Sequence, residues 1–305
     1  MKTFPGDGVP FVTVIVPVYN DAGRIWKCIE ALLRQTYPPD RYEIVVVDNG
    51  STDETCSVIG RYPVTLLVEN EKQTSYAARN RGVRLAKGKV IAMTDSDCIP
   101  QSDWIEKGVA RLLGEPHCGL VGGKIEIFFK QRNKPNAVEL YDSVTGFNQK
   151  DDIERHHFGS TANVFTYREV FDSVGLFNDG LKSGGDNEWG RRVFSSGYGL
   201  VYAEDAVVAH PARHSFGQLY RRATRLIGGC YEQYWKNSYR SCSREAFRSL
   251  RTIVSLTLRI ALGLYPADRL NGIKRKCQYI SVVSFVELVS TWERTRLLLG
   301  GKSRR

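Results

Sequence analysis

The sequence predicts an α/β fold, a mainly parallel sheet flanked by helices, with a basic helical extension behind it. Three observations carry that prediction. Up to Leu113, short apolar runs alternate with helical patterns of about ten residues, which calls for right-handed crossovers and parallel strands. Several of those runs end on aspartate, at the strand ends where open α/β sheets bind ligands. Charge is also divided along the chain. The 305 residues carry a net charge of +10. Through Ala212 there are 24 Lys+Arg against 28 Asp+Glu, and from Arg213 onward 19 against 5.

Val12–Val18 is the first expected strand, and Asp21 caps a helix running to about Gln35. Tyr42–Val47 is the second strand, ending at Asp48, with Asp53 opening a short helix. Val64–Val68 is the third strand, Ser75–Ala86 a helix, and Val90–Thr94 the fourth strand. Ser102 caps a helix reaching about Leu113. Beyond it the rhythm changes: Leu120–Phe129 reads as a longer strand, and the polar, irregular Gln131–Phe158 as a loop or lid. Thr161–Tyr167 is a short strand, with a helical turn at Glu169–Ser173. The glycine turn Ser183-Gly184-Gly185 leads into a helix from Asp186 to about Ser196. Leu200–Ala203 and Val207–His210 are strand segments.

From Phe216 the pattern is helical and basic. In Arg248–Tyr265 a narrow polar stripe of Arg248, Arg251, Ser255 and Arg259 faces a broad apolar side, and Tyr279–Trp292 is a second apolar stretch. Neither reaches the roughly 20 uninterrupted apolar residues of a spanning helix. Attachment to an anionic membrane surface and packing onto the protein itself both fit this pattern. The seven cysteines show no Cys-x-x-Cys pair; they read as scattered reduced thiols of a cytoplasmic protein. Met1–Pro10 lacks the apolar core of a secretory signal.

Chemistry concentrates at strand ends. Asp95 and Asp97, one residue apart, can share a hard divalent cation that keeps positions open for diphosphate oxygens. An Asx turn explains an isolated Asp-x-Asp equally well. Asp48 is placed to accept from a pyrimidine N3–H or a ribose hydroxyl, or simply to close a turn. Arg79, on the helix after Thr74, suits phosphate or base recognition if it is not merely solvated.

Taken together, several stretches resemble the inverting glycosyltransferases of family 2, which have the GT-A fold with its Rossmann-like sheet. They are Val14-Ile15-Val16-Pro17-Val18-Tyr19-Asn20, Leu33-Arg34-Gln35-Thr36-Tyr37-Pro38, Val45-Val46-Val47-Asp48-Asn49-Gly50-Ser51-Thr52-Asp53, Ala78-Arg79-Asn80-Arg81-Gly82, Thr94-Asp95-Ser96-Asp97 and Ala162-Asn163-Val164-Phe165. The resemblance covers about Pro10 to His214 and implies a nucleotide-sugar transferase domain at 10–215; a disordered N-terminus at 1–9 and the basic helical region at 216–305 lie outside it. It implies that Pro17, Val18, Tyr19, Asp21, Asp48, Gly50, Arg79, Asp95 and Ser96 surround the donor. Asp97 would be the direct ligand of Mn²⁺ or Mg²⁺, with Asp95 and His210 as further metal contacts. Asn163 and Trp189 would face the acceptor.

An inverting transfer needs one general base, and the family places it at a helix start in a Gly-Glu-Asp-type motif. Here that stretch is Gly184-Gly185-Asp186-Asn187-Glu188. Asp186 is the expected base, and Glu188 the alternative, because Gly185 stands where the family often has glutamate. The implied partners are a UDP, dTDP or GDP sugar, a glycan or lipid-linked acceptor of the cell envelope, and an anionic surface on the inner face of a membrane, with no nucleic acid.

Rival readings are weaker. No Gly-x-Gly-x-x-Gly follows the first strand, and Gly82 to Lys89 departs from the P-loop in spacing and in Val90. A sugar-nucleotide nucleotidyltransferase would carry a glycine-rich loop with Arg and Lys where this chain has Asn20-Asp21-Ala22-Gly23-Arg24. A basic nucleic-acid-binding protein would use the interleaved arginines and aromatics of the tail.

Overall fold

The computed structural model describes residues 8–132, 134–235, 251, 254, 255, 258 and 272–304. Residues 1–7 of the N-terminal expectation for 1–9 and most of the Arg248–Tyr265 stripe fall outside the described residues. Two compact units emerge. The first comprises 1–126, 147–180 and 185–210, and the second 127–146, 181–184 and 211–305.

The first unit is built on an eight-stranded sheet. In chain order the strands are β1 Val12–Val18, β2 Tyr42–Asp48, β3 Thr65–Val68, β4 Val90–Thr94, β5 Ile99–Pro100, β6 Cys118–Phe128, β7 Asn163–Tyr167 and β8 Gly199–Pro211. They lie in the order β3-β2-β1-β4-β7-β6-β8-β5. β1 pairs in parallel with β2 and β4, and β2 with β3, as the alternation of apolar runs and helices requires. β7 then runs antiparallel to β4 and β6. All seven residues of β1 are buried, which explains why that strand is apolar but for Thr13 and does not alternate.

Helices α1 Ile25–Leu33, α2 Thr55–Ile59, α3 Ser75–Leu85 and α4 Trp104–Gly114 fill the expected crossovers. Trp104, fully buried, stacks on Phe165 of β7 with ring centroids 4.7 Å apart. Gly108, one turn along α4, lets that ring in: a Cβ there would lie 2.2 Å from the Phe165 ring. α1 starts three residues later than expected, and Asp21 does not cap it with its side chain. β5 was not legible, being two residues long. The two strand segments expected at 200–210 form one long β8.

Gln131–Phe158, expected as a loop, contains two helices: α5 Ala137–Thr145 and α6 Gln149–His156. α5 opens with a capping box between Asn136 and Glu139, a short-range signal that the polar composition obscured. α7 Arg168–Val174 and α8 Gly185–Ser195 match the expected helical segments.

In the second unit α5 packs with α9 Phe216–Cys230 and α10 Ile273–Leu298. Its core is Val138, Tyr141, Leu219, Tyr279, Val282 and Val283. The Tyr279–Trp292 stretch therefore divides: its first turns are buried, while Leu288 and Trp292 are exposed. Fully buried Asp142 accepts from the Arg213 backbone and guanidinium at 2.9 and 3.0 Å. Among the described residues no helix is long and apolar enough to cross a membrane.

Candidate active site

Parallel pairing brings the C-terminal ends of β1, β2 and β4 to one rim, with Val18 opposite Asp48. The Asp48 side chain is buried. Its Oδ2 accepts from the backbone N–H groups of Gly50 and Ser51 at 3.1 and 3.0 Å. Gly50 has φ +79°, which lets the chain turn back over the carboxylate. Oδ1 is buried with no hydrogen-bond partner among the described residues. A buried acceptor left open is costly unless a ligand completes it. The nearby Cys56 thiol is pushed up by burial and by the Asp48 charge. Asn20 knits the rim, its backbone N–H donating to Ser51 Oγ and its Oδ1 accepting from Thr52, both at 2.8 Å. Of the expected pocket residues on β1, Pro17 and Val18 are buried inside the strand, because a central strand covered on both faces exposes neither side. Tyr19 is the exposed one.

Beyond β4 a charged network forms. Buried Arg79 donates from Nη2 to Asp95 Oδ1 at 2.5 Å. Ser96 Oγ donates to Asp21 Oδ2 at 2.6 Å, and Arg24 Nε donates to Asp21 Oδ1 at 2.6 Å. Burial raises the Asp21 pKa against the lowering effect of these donors. Asp21 is thus spent on Arg24 and Ser96 and braces the rim. Arg24 also reaches Asp97 Oδ2, at 3.0 Å. Sequence reasoning had used Arg24 only against a nucleotidyltransferase; that a guanidinium sits on the candidate metal ligand appears only in the fold.

His210, near the end of β8, places Nε2 3.6 Å from Asp97 Oδ1, and its ring lies edge-on to Phe147. Ligand atoms of Asp97, Cys98 and His210 lie within 4.8 Å of one another. Burial and the flanking carboxylates hold the Cys98 thiol well above its usual range, and a hard cation prefers the oxygen and imidazole donors beside it. One carboxylate and one imidazole with remaining positions open fit Mn²⁺, and Mg²⁺ less well, since that ion favours all-oxygen shells. Asp95, also expected at the metal, is not in this cluster. The buried Arg79 guanidinium draws it away and neutralises it.

Asp186 lies in the first turn of α8. Its Oδ1 accepts from the Asn187 N–H at 3.0 Å and from the Tyr76 hydroxyl at 3.3 Å. Burial raises its pKa, and the Arg79 charge, these hydrogen bonds and its own N–H pull the other way. Glu188 is occupied: both its oxygens bind Arg192, at 2.6 and 3.1 Å. That guanidinium also donates to the Leu176 carbonyl at 2.7 Å. Of the two candidate bases, Asp186 is the one whose carboxylate is not locked in an ion pair.

Asn163 and Trp189, the two residues expected at the acceptor, both lie in the interior. Asn163 is fully buried, accepting from the Trp104 indole at 2.8 Å and donating to the Lys124 and Ala206 carbonyls, both at 2.9 Å. Both amide hydrogens are spent on tying strands together. Trp189 is buried against Phe171 and Phe177 and donates to the Gly175 carbonyl at 2.9 Å. A lone polar residue in a strand motif carries no signal of which face it takes.

A family model described as "Glycosyl transferase family 2" matches residues 13–175. The chain is 38% identical over 293 residues to glycosyltransferase AglE of Haloferax volcanii, covering 93% of this chain and 92% of that protein. It is 24% identical over 218 residues to a dolichyl N-acetyl-alpha-D-glucosaminyl phosphate 3-beta-D-2,3-diacetamido-2,3-dideoxy-beta-D-glucuronosyltransferase of Methanococcus voltae, 67% of this chain and 68% of that one. Among solved structures, the mannosyltransferase PcManGT from Pyrobaculum calidifontis, in complex with GDP-Man and Mn²⁺, superposes with a TM-score of 0.62 at 22% identity. That match covers 93% of this chain and 88% of the other. At this identity it shows the shared GT-A fold.

Proposed function

The chain belongs to glycosyl transferase family 2, and we propose that it transfers a sugar, with inversion, from a nucleoside-diphosphate donor to an acceptor hydroxyl during glycan, polysaccharide or glycolipid synthesis. Family membership displaces the nucleotidyltransferase and nucleic-acid readings. The observation that carries the proposal is Arg79, which pairs with Asp95 on one side while its charge acts on Asp186 on the other. That single guanidinium links the donor rim to the candidate base.

In this reading Asp48 Oδ1 receives an N–H of the base, and a UDP, dTDP or GDP donor satisfies it. Asp97 and His210 hold Mn²⁺ or Mg²⁺. When bound, that cation neutralises charge growing on the departing diphosphate. Asp186 accepts the proton of the acceptor hydroxyl as its oxygen attacks the anomeric carbon from the face opposite the leaving group. The base must be ionised to act. Its raised pKa means activity falls as pH drops through that value and is full above it.

The acceptor is a glycan or a lipid-linked glycan; the Methanococcus voltae relative, named as a transferase to a dolichyl phosphate-linked sugar, supports the second. The C-terminal basic region holds the enzyme to the cytoplasmic face of an anionic membrane, a reading supported by its charge and by exposed Leu288 and Trp292 on α10. Retention of the full chain in the supernatant with anionic vesicles at low salt would refute that attachment. Thermal-shift screening of nucleoside diphosphates with and without Mn²⁺ tests the donor site. Asp186→Asn turnover at unchanged donor affinity tests the base: near-normal turnover rejects Asp186.

A further inference from the structure

The geometry points to Tyr76 as a positioning residue for Asp186, installed in this chain through the glycine at position 185. The inference rests on the reading of Asp186 as the base. A Cβ on Gly185 would stand 2.8 Å from Cε2 and Cζ of Tyr76, closer than carbon atoms pack. Any side chain at 185 and the present position of the Tyr76 ring therefore exclude each other. The absence of a glutamate before Asp186 is the other face of the tyrosine on α3.

The ring is held firmly. It is buried and lies 5.8 Å from Phe177, which packs 5.0 Å from Trp189 of α8. Asn80, one turn beyond Tyr76, clasps Phe177 twice: its Nδ2 donates to the Phe177 carbonyl at 2.9 Å, and its Oδ1 accepts from the Phe177 N–H at 3.0 Å. Thr74 caps α3 by accepting from Ala77 and donates to the Asp179 carbonyl, both at 3.1 Å. α3 and the segment leading into α8 are thus one clamped piece, and the tyrosine hydroxyl comes to Asp186 Oδ1 as a consequence of that clamp. The Asn187 N–H and the Tyr76 hydroxyl both donate to Oδ1, and in this proposal Oδ2 takes the acceptor's proton. The charged and titratable groups that act on Asp186 are Tyr76 and Arg79 from α3 and Asp152 from α6. Among them Tyr76 is the neutral donor, able to orient the carboxylate without cancelling its charge.

The test is kcat and donor KM as functions of pH for wild type, Tyr76→Phe, Gly185→Ala, Tyr76→Ala and the Tyr76→Ala/Gly185→Ala pair. Loss of one hydrogen bond to a charged group is expected to lower kcat of Tyr76→Phe about tenfold. The acid limb should move up by about one pH unit, with donor KM unchanged. Gly185→Ala should lose activity with the tyrosine present and cost nothing further once Tyr76 is alanine. An unmoved acid limb in Tyr76→Phe, or strictly additive losses in the pair, overturns the inference. Failure of the base assignment looks different: Asp186→Asn would then remain active whatever Tyr76 does. Nucleoside-diphosphate binding by each variant confirms that the domain is folded.

Discussion

Replacing Asp48 by asparagine separates its two tasks, because each oxygen has a different job. Oδ2 receives two backbone N–H groups and shapes the Gly50 turn, whereas Oδ1 is buried and open. The asparagine amide oxygen can keep both turn hydrogen bonds. What is lost there is charge assistance, on the order of 1 kcal/mol of stability. The amide nitrogen then stands at the Oδ1 position and presents a donor to the base N–H. A missing hydrogen bond to a charged acceptor, plus two donors face to face, amounts to about 2–3 kcal/mol, or ~30- to 150-fold in Kd. Calorimetric titration of UDP, dTDP and GDP in the presence of Mn²⁺, alongside a urea melt, reads both quantities. The tight-binding nucleotide of the wild type should weaken by that factor while the melt moves little. Binding within threefold of wild type would refute the placement of the base on Oδ1. Asp48→Ala, which abandons the turn as well, should damage the melt far more than the asparagine.

Other outcomes follow from the same geometry. Arg24 competes with a cation for Asp97; since the arginine is half-exposed, its hold is worth only about 1 kcal/mol. Arg24→Gln should lower the Mn²⁺ concentration giving a half-maximal thermal shift by ~5-fold, and no change would show that the contact is irrelevant to the metal. Asn163→Ala should unfold more readily by about 3 kcal/mol, because it strands the Trp104 indole and two carbonyls, with acceptor KM unchanged in whatever folds. A rise in acceptor KM alone would restore the original reading of that residue. The Asp152 carboxyl is pushed up to about 6 by burial and by the Asp151 and Asp186 charges, against the lowering effect of His156. The folded state therefore holds a proton that the unfolded chain releases, so stability falls as pH rises from about 4 to about 6. Asp152→Asn should raise the melting temperature at pH 7.5 by a few degrees, about 1 kcal/mol after allowing for partial exposure, and leave it unchanged at pH 4. An equal shift at both pH values would place the effect in packing.

The strands β1, β2 and β4 and the rim they form were legible because parallel strands covered on both faces are mostly apolar, and the acids at their ends are then conspicuous. Asp48, Asp97 and Asp186 stood out for that reason or for their place after a glycine turn. Helices α5 and α6 were not legible, since their charged residues hide a short apolar face that only packing reveals. The internal hydrogen bonds of Asn163 and Trp189 were not legible, because sequence order says where a residue sits along an element and nothing about which neighbour its polar atoms will meet.

From sequence alone came the order of elements, the family and the acids at the strand ends, all of which depend on local pattern and spacing. Tertiary structure decided the pairings: Arg79 on Asp95, Arg24 on Asp97, Glu188 on Arg192, and a tyrosine ring in the space beside Gly185. The reason is range. Strand and helix propensity act over a few residues, whereas a charge or an aromatic ring finds its partner only when segments tens of residues apart are packed within a few ångströms.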